Sequence, residues 1–178
     1  MTSIEVGWVG LEQGSVERCA LLAGDDGPMI AAAIDFRPGM VDYRVRIVRP
    51  WLFRELAVVD SRGAHAVRRR VILDDSGRWY VDDVERPDLS GAREVDLAIS
   101  PLSSTLPIRR LGLEIGESAE IVTAYVGDDL DVSADPQRYT RIAELRYLYE
   151  SLDSVFSREV TVDEHGLVLD YPSLFQRV

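Results

Sequence analysis

Apolar and polar residues alternate along much of the chain, which is the pattern of a half-buried β-strand. The clearest case runs from residue 40 to residue 48, where Val41, Tyr43, Val45 and Ile47 fall on one side. The intervening positions are aspartate or arginine and fall on the other side. This period of two predicts a strand with one face in the core and the other in solvent.

Similar runs recur along the chain between Gly, Asp and Pro turns, as in Gly24-Asp25-Asp26-Gly27-Pro28. Strands are predicted at residues 8–11, 16–23, 29–36, 40–48, 52–59, 64–73, 78–81, 108–115, 119–126, 139–152, 155–162 and 167–171. Residues 139–152 also have a composition that suits a helix, and we interpret them as strand. Residues 82–98 are predicted to be loop with one helical turn. A short strand-like segment is predicted to begin at Leu130 and to end at Pro136. The expected fold is mostly β, an antiparallel sheet of about ten strands that must curl, close or split.

One stretch, Ser100 to Leu111, departs from this pattern. Its prolines, Pro101 and Pro107, fix φ and remove backbone donors, so we expect a shaped loop that leads into a strand. Arg109 and Arg110 stand where that strand would begin, which would point them to opposite faces. Their guanidinium groups suit a carboxylate or phosphate ligand, and pairing with the protein's own acids is the alternative.

Length and composition limit the protein to a few classes. At 178 residues, with 46% hydrophobic and 29% charged residues, the chain is predicted to be one ordered globular domain, residues 1–178. The net charge of −11 argues against nucleic acid as a partner and against adsorption to an anionic membrane. The N-terminus lacks a signal-peptide pattern and no run is long enough to span a bilayer, which predicts a cytoplasmic protein without an integral membrane segment.

Catalytic and metal-binding motifs are not evident in the sequence. Cys19 is the single cysteine, and neither His65 nor His165 has a second histidine at metal-ligand spacing. There is no nucleophile elbow and no phosphate-binding glycine loop. The acid pairs, such as Asp74-Asp75, stand in turns, where aspartate is favoured locally. We therefore predict no cofactor, no metal site and no catalytic residue.

Five segments together give the chain a family resemblance that extends from Trp8 to the C-terminus. These segments are Ser100 to Leu111, Ala124-Tyr125-Val126, Gln137-Arg138-Tyr139-Thr140-Arg141, Tyr147-Leu148-Tyr149-Glu150-Ser151 and Val162 to Pro172. In this order they resemble the bacterial "putative glycolipid-binding" family, a former domain of unknown function. The resemblance implies a curved half-barrel similar to lipoprotein carriers, with a concave apolar face. It also implies a glycolipid or another amphipathic small molecule as the ligand.

The candidate ligand-binding residues combine aromatic side chains with the polar residues near the proline stretch. Tyrosine and tryptophan suit sugar faces because they are flat, apolar and carry one polar group, although core packing is their default role. Arginines could hold an anionic or hydroxyl-rich head group at the mouth of a cavity. The candidates are Trp79, Thr105, Arg109, Arg110, Arg138, Tyr139, Tyr147 and Tyr149.

Two other functional classes remain open at this point, and the oligomeric state is not specified by the sequence. One is a small β-barrel enzyme that uses Arg109 and an acid such as Asp96. The other is an interaction domain without a small ligand. Clustered acids with perturbed pKa values in a cavity would favour the enzyme. An open apolar cavity without such acids would favour the binding protein, and a filled interior would favour the interaction domain.

Overall fold

The computed structural model describes residues 3–24, 27–48 and 50–178. The predicted turn at residues 24–28 therefore lies partly outside the described residues, because Asp25 and Asp26 are not among them. The N-terminal residues Met1 and Thr2, which entered the signal-peptide argument, are also outside the described part of the chain.

In the described residues, strands make up most of the chain. The strands are β1 Ser3–Gly10, β2 Val16–Leu22, β3 Met29–Asp35, β4 Met40–Val48, β5 Leu52–Asp60, β6 Val67–Leu73, β7 Trp79–Val81, β8 Val84–Glu85, β9 Val95–Leu97, β10 Ser118–Val126, β11 Val132–Ala143, β12 Arg146–Ser151, β13 Ser157–Val162, β14 Val168–Tyr171 and β15 Phe175–Arg177. Helical structure within the described ranges is confined to two 3₁₀ turns, Pro87–Leu89 and Pro101–Ser104, and one α-helix, α1, Thr105–Leu111. The predicted fold class, mostly β with little helix, is confirmed.

All fifteen strands belong to one sheet, in the order β8-β7-β6-β5-β4-β3-β2-β1-β15-β14-β13-β12-β11-β10-β9. The N-terminal half is a meander from β1 to β8, the C-terminal half a meander from β10 to β15, and the pairing of β1 with β15 joins them. The described pairs are antiparallel except β9 with β10. The ladder ends at β8 and β9, so the sheet is curved but open, and the closed β-barrel considered from the sequence is wrong.

The sheet rolls far enough that its C-terminal edge lies inside the curve of the N-terminal half. Both faces of β10 are covered, because Ala124 packs in one core cluster while its neighbour Thr123, on the other face, is also buried. Arginines of the N-terminal half reach across to this edge: Arg69 Nε donates to the Leu130 carbonyl at 2.9 Å, and Arg86 to the Val132 carbonyl at 2.8 Å. Side-chain hydrogen bonds thus hold the roll where no ladder closes it.

Two hydrophobic clusters fill the roll. The first joins Trp8, Phe53 and Trp79 of the N-terminal half to the loop and helix residues Leu102 and Leu106. The second consists mainly of side chains of the C-terminal half, and its buried members are Ile108, Leu113, Tyr139, Tyr147, Tyr149, Val160, Val162, Val168 and Tyr171. The segment from Pro101 to Ile108 is therefore buried and packs on both clusters.

The segment after Ser104 is a helix, which corrects the expectation of a loop leading into a strand at residues 108–115. Both prolines fit because each stands in the first turn of its own helical piece, where a backbone N–H has no intrahelical partner. Gly112 ends the helix in the left-handed conformation, with φ of 57°. Arg109 and Arg110 consequently lie in the last turn of a helix and not on a strand.

Four further expectations about strands need correction. Residues 82–98, predicted to be loop with one helical turn, contain β8 and β9 as well as a 3₁₀ turn. Pro136 does not end a strand, because β11 continues through it. The Pro136 carbonyl accepts a hydrogen bond from Leu152 N, which lies just beyond the end of β12. The nitrogen of Pro136, which carries no hydrogen, faces the same side, where the pairing of β11 with β12 ends. Residues 139–152 contain two strands, the end of β11 and β12, and the predicted C-terminal tail contains β15.

A buried carboxylate, Glu17, ties the inner loop to the N-terminal half of the sheet. It is 2% exposed and accepts hydrogen bonds from Tyr43 and from Ser100, the latter at 2.9 Å. Its second oxygen has no partner in the described residues. Burial raises its pKa from 4.5 to about 7, although the two hydrogen bonds act in the opposite direction.

Because the pKa of Glu17 is raised in the folded state, the stability linked to it is fully present below pH 4.5 and is lost as pH rises through about 7. The variant Glu17→Gln keeps a hydrogen-bond acceptor and removes the charge. We expect its stability relative to the parent to rise by up to about 3 kcal/mol between pH 4 and pH 8. Urea unfolding at both pH values measures this. The exposed Glu5→Gln is the control, and an identical pH dependence in Glu17→Gln and the parent would contradict the assignment.

The face assignment of β4 gives a second prediction. Val45 is 1% exposed, whereas its neighbour Arg44 is exposed on the outer face. Val45→Asp buries an unpaired charge and should cost about 4 kcal/mol or more, whereas Arg44→Asp should cost less than about 1 kcal/mol. Soluble yield and urea unfolding of the two variants test this; equal losses would show that the faces are assigned wrongly.

Candidate functional site

A cavity of about 380 Å³ lies inside the C-terminal half of the roll. One wall is the loop from Asp96 to Ser104, and the opposite wall is formed by β12, β14 and the turns that follow them. Its size lies within the range of small-molecule sites, which is roughly 300–1,000 Å³.

Aromatic rings form much of one wall, and Tyr149 is at its centre. The Tyr149 ring meets Phe156 at 5.9 Å and Tyr171 at 6.3 Å, both edge to face. Phe175 extends the row from Tyr171, with centroids 6.4 Å apart, and Tyr125 lines the cavity from β10. These contacts hold the rings at fixed angles, so the cavity has a rigid aromatic surface.

Two tyrosine hydroxyls of this wall are without partners. Tyr149 is 8% exposed and Tyr171 7% exposed, and both line the cavity. Neither hydroxyl makes a hydrogen bond within the part of the chain that the structure describes. Burial is the main cause that raises the pKa of both groups, with the Asp96 charge adding to it. Both are therefore neutral hydroxyls that can donate to and accept from a ligand.

The cavity also contains carboxylates. Asp96 accepts from Ser103 Oγ at 2.7 Å and from Gln137 Nε2 at 2.7 Å. The same amide nitrogen donates to Asp135 at 2.6 Å, so the two carboxylates lie on either side of one side chain. Burial raises the pKa of both Asp96 and Asp135, and neighbouring groups shift each pKa by a smaller amount. Asp153 lines the cavity near its opening.

Of the aromatic residues proposed from the sequence, the structure places one in this cavity. Tyr149 lines it, and Tyr139 lies directly behind, 1% exposed, with its ring 5.4 Å from that of Tyr149. Tyr147 belongs to the same core cluster but does not line the cavity. Trp79 lies in the other cluster, where it stacks on Phe53 at 5.4 Å and donates to the Ala92 carbonyl.

The polar residues proposed from the proline stretch lie apart from the cavity. Arg110 forms a bidentate ion pair with Glu94, whose side chain is 0% exposed. Arg109 is exposed and its guanidinium lies 4.9 Å from the centre of the Trp51 ring. Thr105 is fully buried, with its hydroxyl unpartnered in the described residues. Arg138 is on the outer face of β11, between Glu120 and Glu150.

The other cavity residues were not selected from the sequence as ligand-binding residues. Tyr125 and Tyr171 were visible as aromatic residues in predicted strands, but nothing distinguished them from core tyrosines. Asp135 was hidden because Pro136 suggested the end of a strand. The structure continues β11 past it and places Asp135, Gln137 and Tyr139 on one face. From the sequence, Asp96 is a candidate only as the acid of the alternative enzyme.

A second, larger depression of about 1030 Å³ lies on the outer face of β1 to β5. Its floor is made of small residues such as Ala20, Ala31 and Ala33, and Arg18 and Arg44 border it. This groove is more open and lacks a rigid aromatic wall. The inner cavity is therefore the better candidate, because it concentrates aromatic rings and unpartnered polar groups.

Two features that other functional classes require are absent from the described residues. No helix among them is both long and apolar enough to cross a membrane. No group of three or more His, Cys, Asp or Glu side chains among them is arranged to hold a metal ion.

The fold is thus a single rolled sheet, antiparallel except for β9, that encloses a ligand-sized cavity. Comparison with known proteins agrees: the chain belongs to the family described as "Putative glycolipid-binding", whose pattern it matches over residues 5–177. A DUF1089 family protein of Pseudomonas aeruginosa has a similar crystal structure, with a TM-score of 0.75 and 32% identity, covering 100% of this chain and 93% of that one. Family membership supports a binding role.

A plant protein shares part of its sequence with this chain. The chain is 28% identical over 145 residues to an FHA domain-containing protein of Arabidopsis thaliana. That match covers 79% of this chain but 35% of the plant protein, so this chain spans about a third of its relative's length.

The two helix arginines provide a matched pair for testing which cation is structural. Arg110→Ala leaves Glu94 as a buried, uncompensated charge and should cost about 3–5 kcal/mol of stability. Arg109→Ala removes an exposed contact with Trp51 and should cost about 1 kcal/mol or less. Urea unfolding measures both. Adding Glu94→Gln to Arg110→Ala should restore part of the loss; equal effects of the two single variants would contradict this account.

Proposed function

We propose that this protein binds an amphipathic ligand, a glycolipid or a related molecule, without transforming it, and holds the sugar-bearing part in the inner cavity. Family membership supports the ligand class. The observation that carries the placement is the pair of unpartnered hydroxyls, Tyr149 and Tyr171, which line a cavity that also contains Asp96 and Asp135.

This combination suits a sugar for two physical reasons. The apolar face of a pyranose ring packs against an aromatic ring, and here the rings are held rigidly by edge-to-face contacts. Its hydroxyl groups need hydrogen-bond partners when they leave water, and carboxylates and tyrosine hydroxyls supply them. The Tyr149 and Tyr171 hydroxyls have no partner among the described residues, so each can bond to such a ligand without breaking a contact of the fold.

The same cavity offers an apolar exit for the remainder of the ligand. Leu174 and Phe175, in the turn and strand after Tyr171, line it beside Pro101 of the inner loop. The first part of an acyl or alkyl chain could lie against these side chains while its distal part remains outside. The lining thus contains both polar and apolar groups, as the two parts of an amphipathic molecule require.

One observation supports a second candidate function, the hydrolysis of a glycosidic bond. Asp96 and Asp135 both have raised pKa values, lie in one cavity and are joined through Gln137, which is the arrangement that favours an enzyme. Binding is the first proposal because each oxygen of Asp96 already accepts a hydrogen bond from Ser103 or Gln137. Release of nitrophenol from nitrophenyl glycosides, lost in Asp96→Asn and Asp135→Asn, would establish hydrolysis.

The hydroxyls that carry the placement can be removed one at a time. Tyr149→Phe and Tyr171→Phe keep the rings and should each weaken binding of octyl β-D-glucoside roughly threefold to tenfold. Isothermal titration calorimetry below the micellar concentration measures this. Tyr80→Phe, on the outer face of β7, is the control and should bind normally. Unchanged affinity in both cavity variants would refute the placement of the ligand.

A further inference from the structure

The charges of the cavity define its ligand more narrowly. Resting on the proposed function, we infer that the cavity selects a ligand that carries an organic ammonium group, such as an amino sugar, over neutral and anionic head groups. Three features support this selectivity: the sign of the lining charges, the contacts of the nearby arginines and the aromatic wall.

The lining is acidic and lacks a compensating cation. Asp96, Asp135 and Asp153 all line the cavity, and no basic side chain of the described residues does. The chain contains no lysine, so arginine would have to supply any fixed cation in it. Carboxylates close together in a partly dry cavity attract a cation and repel an anion more strongly than they would in water.

Three arginines of the C-terminal half already have contacts within the protein. Arg177 pairs with Asp163 at 2.9 Å, and Arg138 pairs with glutamates on the outer face of β11. Arg158 lies with its guanidinium 4.8 Å from the centre of the Phe156 ring and does not line the cavity. The Arg158 charge reaches the cavity, because it acts to lower the pKa of Tyr171, but none of the three side chains lines the cavity beside the carboxylates. An anionic head group next to Asp96 and Asp135 would therefore have no arginine in direct contact.

The aromatic wall favours the same ligand. An ammonium group is attracted to the face of a tyrosine or phenylalanine ring, and rings that meet at steep angles around carboxylates form a recurring site for organic cations. Tyr149 meets Phe156 at 66° and Tyr171 at 61°, with Asp135 in the same cavity. The raised pKa values of Asp96 and Asp135 agree, because a bound cation would offset the cost of ionising both acids.

Three octyl glycosides separate charge from shape. Octyl β-D-glucosaminide carries an ammonium group in mildly acidic buffer, its N-acetyl derivative has lost the charge, and octyl β-D-glucoside has a hydroxyl at that position. We expect the glucosaminide to bind about tenfold or more tightly than either neutral compound, measured by isothermal titration calorimetry below the micellar concentrations.

The same titrations with acid variants locate the preference. Asp135→Asn retains an acceptor for Gln137 and should reduce the preference for the glucosaminide about tenfold, with little change for the glucoside. Asp153→Asn, closer to the opening, is a second variant in case the first does not fold, and should reduce the preference less. Asp170→Asn, exposed on the outer face of β14, is the control and should leave the preference intact.

The outcomes distinguish this inference from the proposed function on which it rests. Equal affinity for the glucosaminide and both neutral glycosides would overturn the inference and leave sugar binding in place. No binding of any glycoside, together with binding of octylamine that Asp135→Asn weakens, would support the ammonium site and overturn the sugar. No binding of the four compounds would overturn both.

Discussion

The arrangement depends on one constraint: an inner loop is held between two carboxylates, the buried Glu17 and the half-buried Asp96. Glu17 of the N-terminal half accepts hydrogen bonds from Tyr43 and Ser100, and Asp96 accepts from Ser103. A charged or polar group in the interior must find partners, so the loop hydroxyls have little freedom in where they lie. The loop in turn positions helix α1 and supplies one wall of the cavity.

These buried acids are costly to the fold, and this cost links stability to the proposed function. Burial raises the pKa of Glu17, Asp96 and Asp135, which means that ionising each of them works against folding near neutral pH. Glu17 serves the loop and faces the first core cluster. Asp96 and Asp135 differ, because they border an open cavity where a ligand could take part in their compensation. A bound cation would then stabilise the protein as well as fill the site.

The sequence predicted the strands well where one face is buried and the other solvated, as from Val41 to Ile47. It failed where a local rule depends on context. A proline usually breaks the interior of a helix, but Pro107 stands in the first turn, where it fits. A proline usually ends a central strand, but Pro136 stands where the neighbouring strand has ended. The prediction of the site residues failed for a different reason. The rolling of the sheet, which no local pattern encodes, brings Asp96 and Tyr125 close to Tyr149 and Tyr171. Tyr149 alone among the candidate residues lines the cavity.

A crystal structure of the complex with octyl β-D-glucosaminide tests the central claim most directly. The account predicts the sugar ring in the inner cavity, against Tyr149 and Tyr171, with its ammonium nitrogen within hydrogen-bonding distance of Asp135 and the octyl chain leaving past Phe175. A sugar bound in the outer groove beside Ala31 and Arg44, or in the cavity with its ammonium group directed away from the carboxylates, would contradict it.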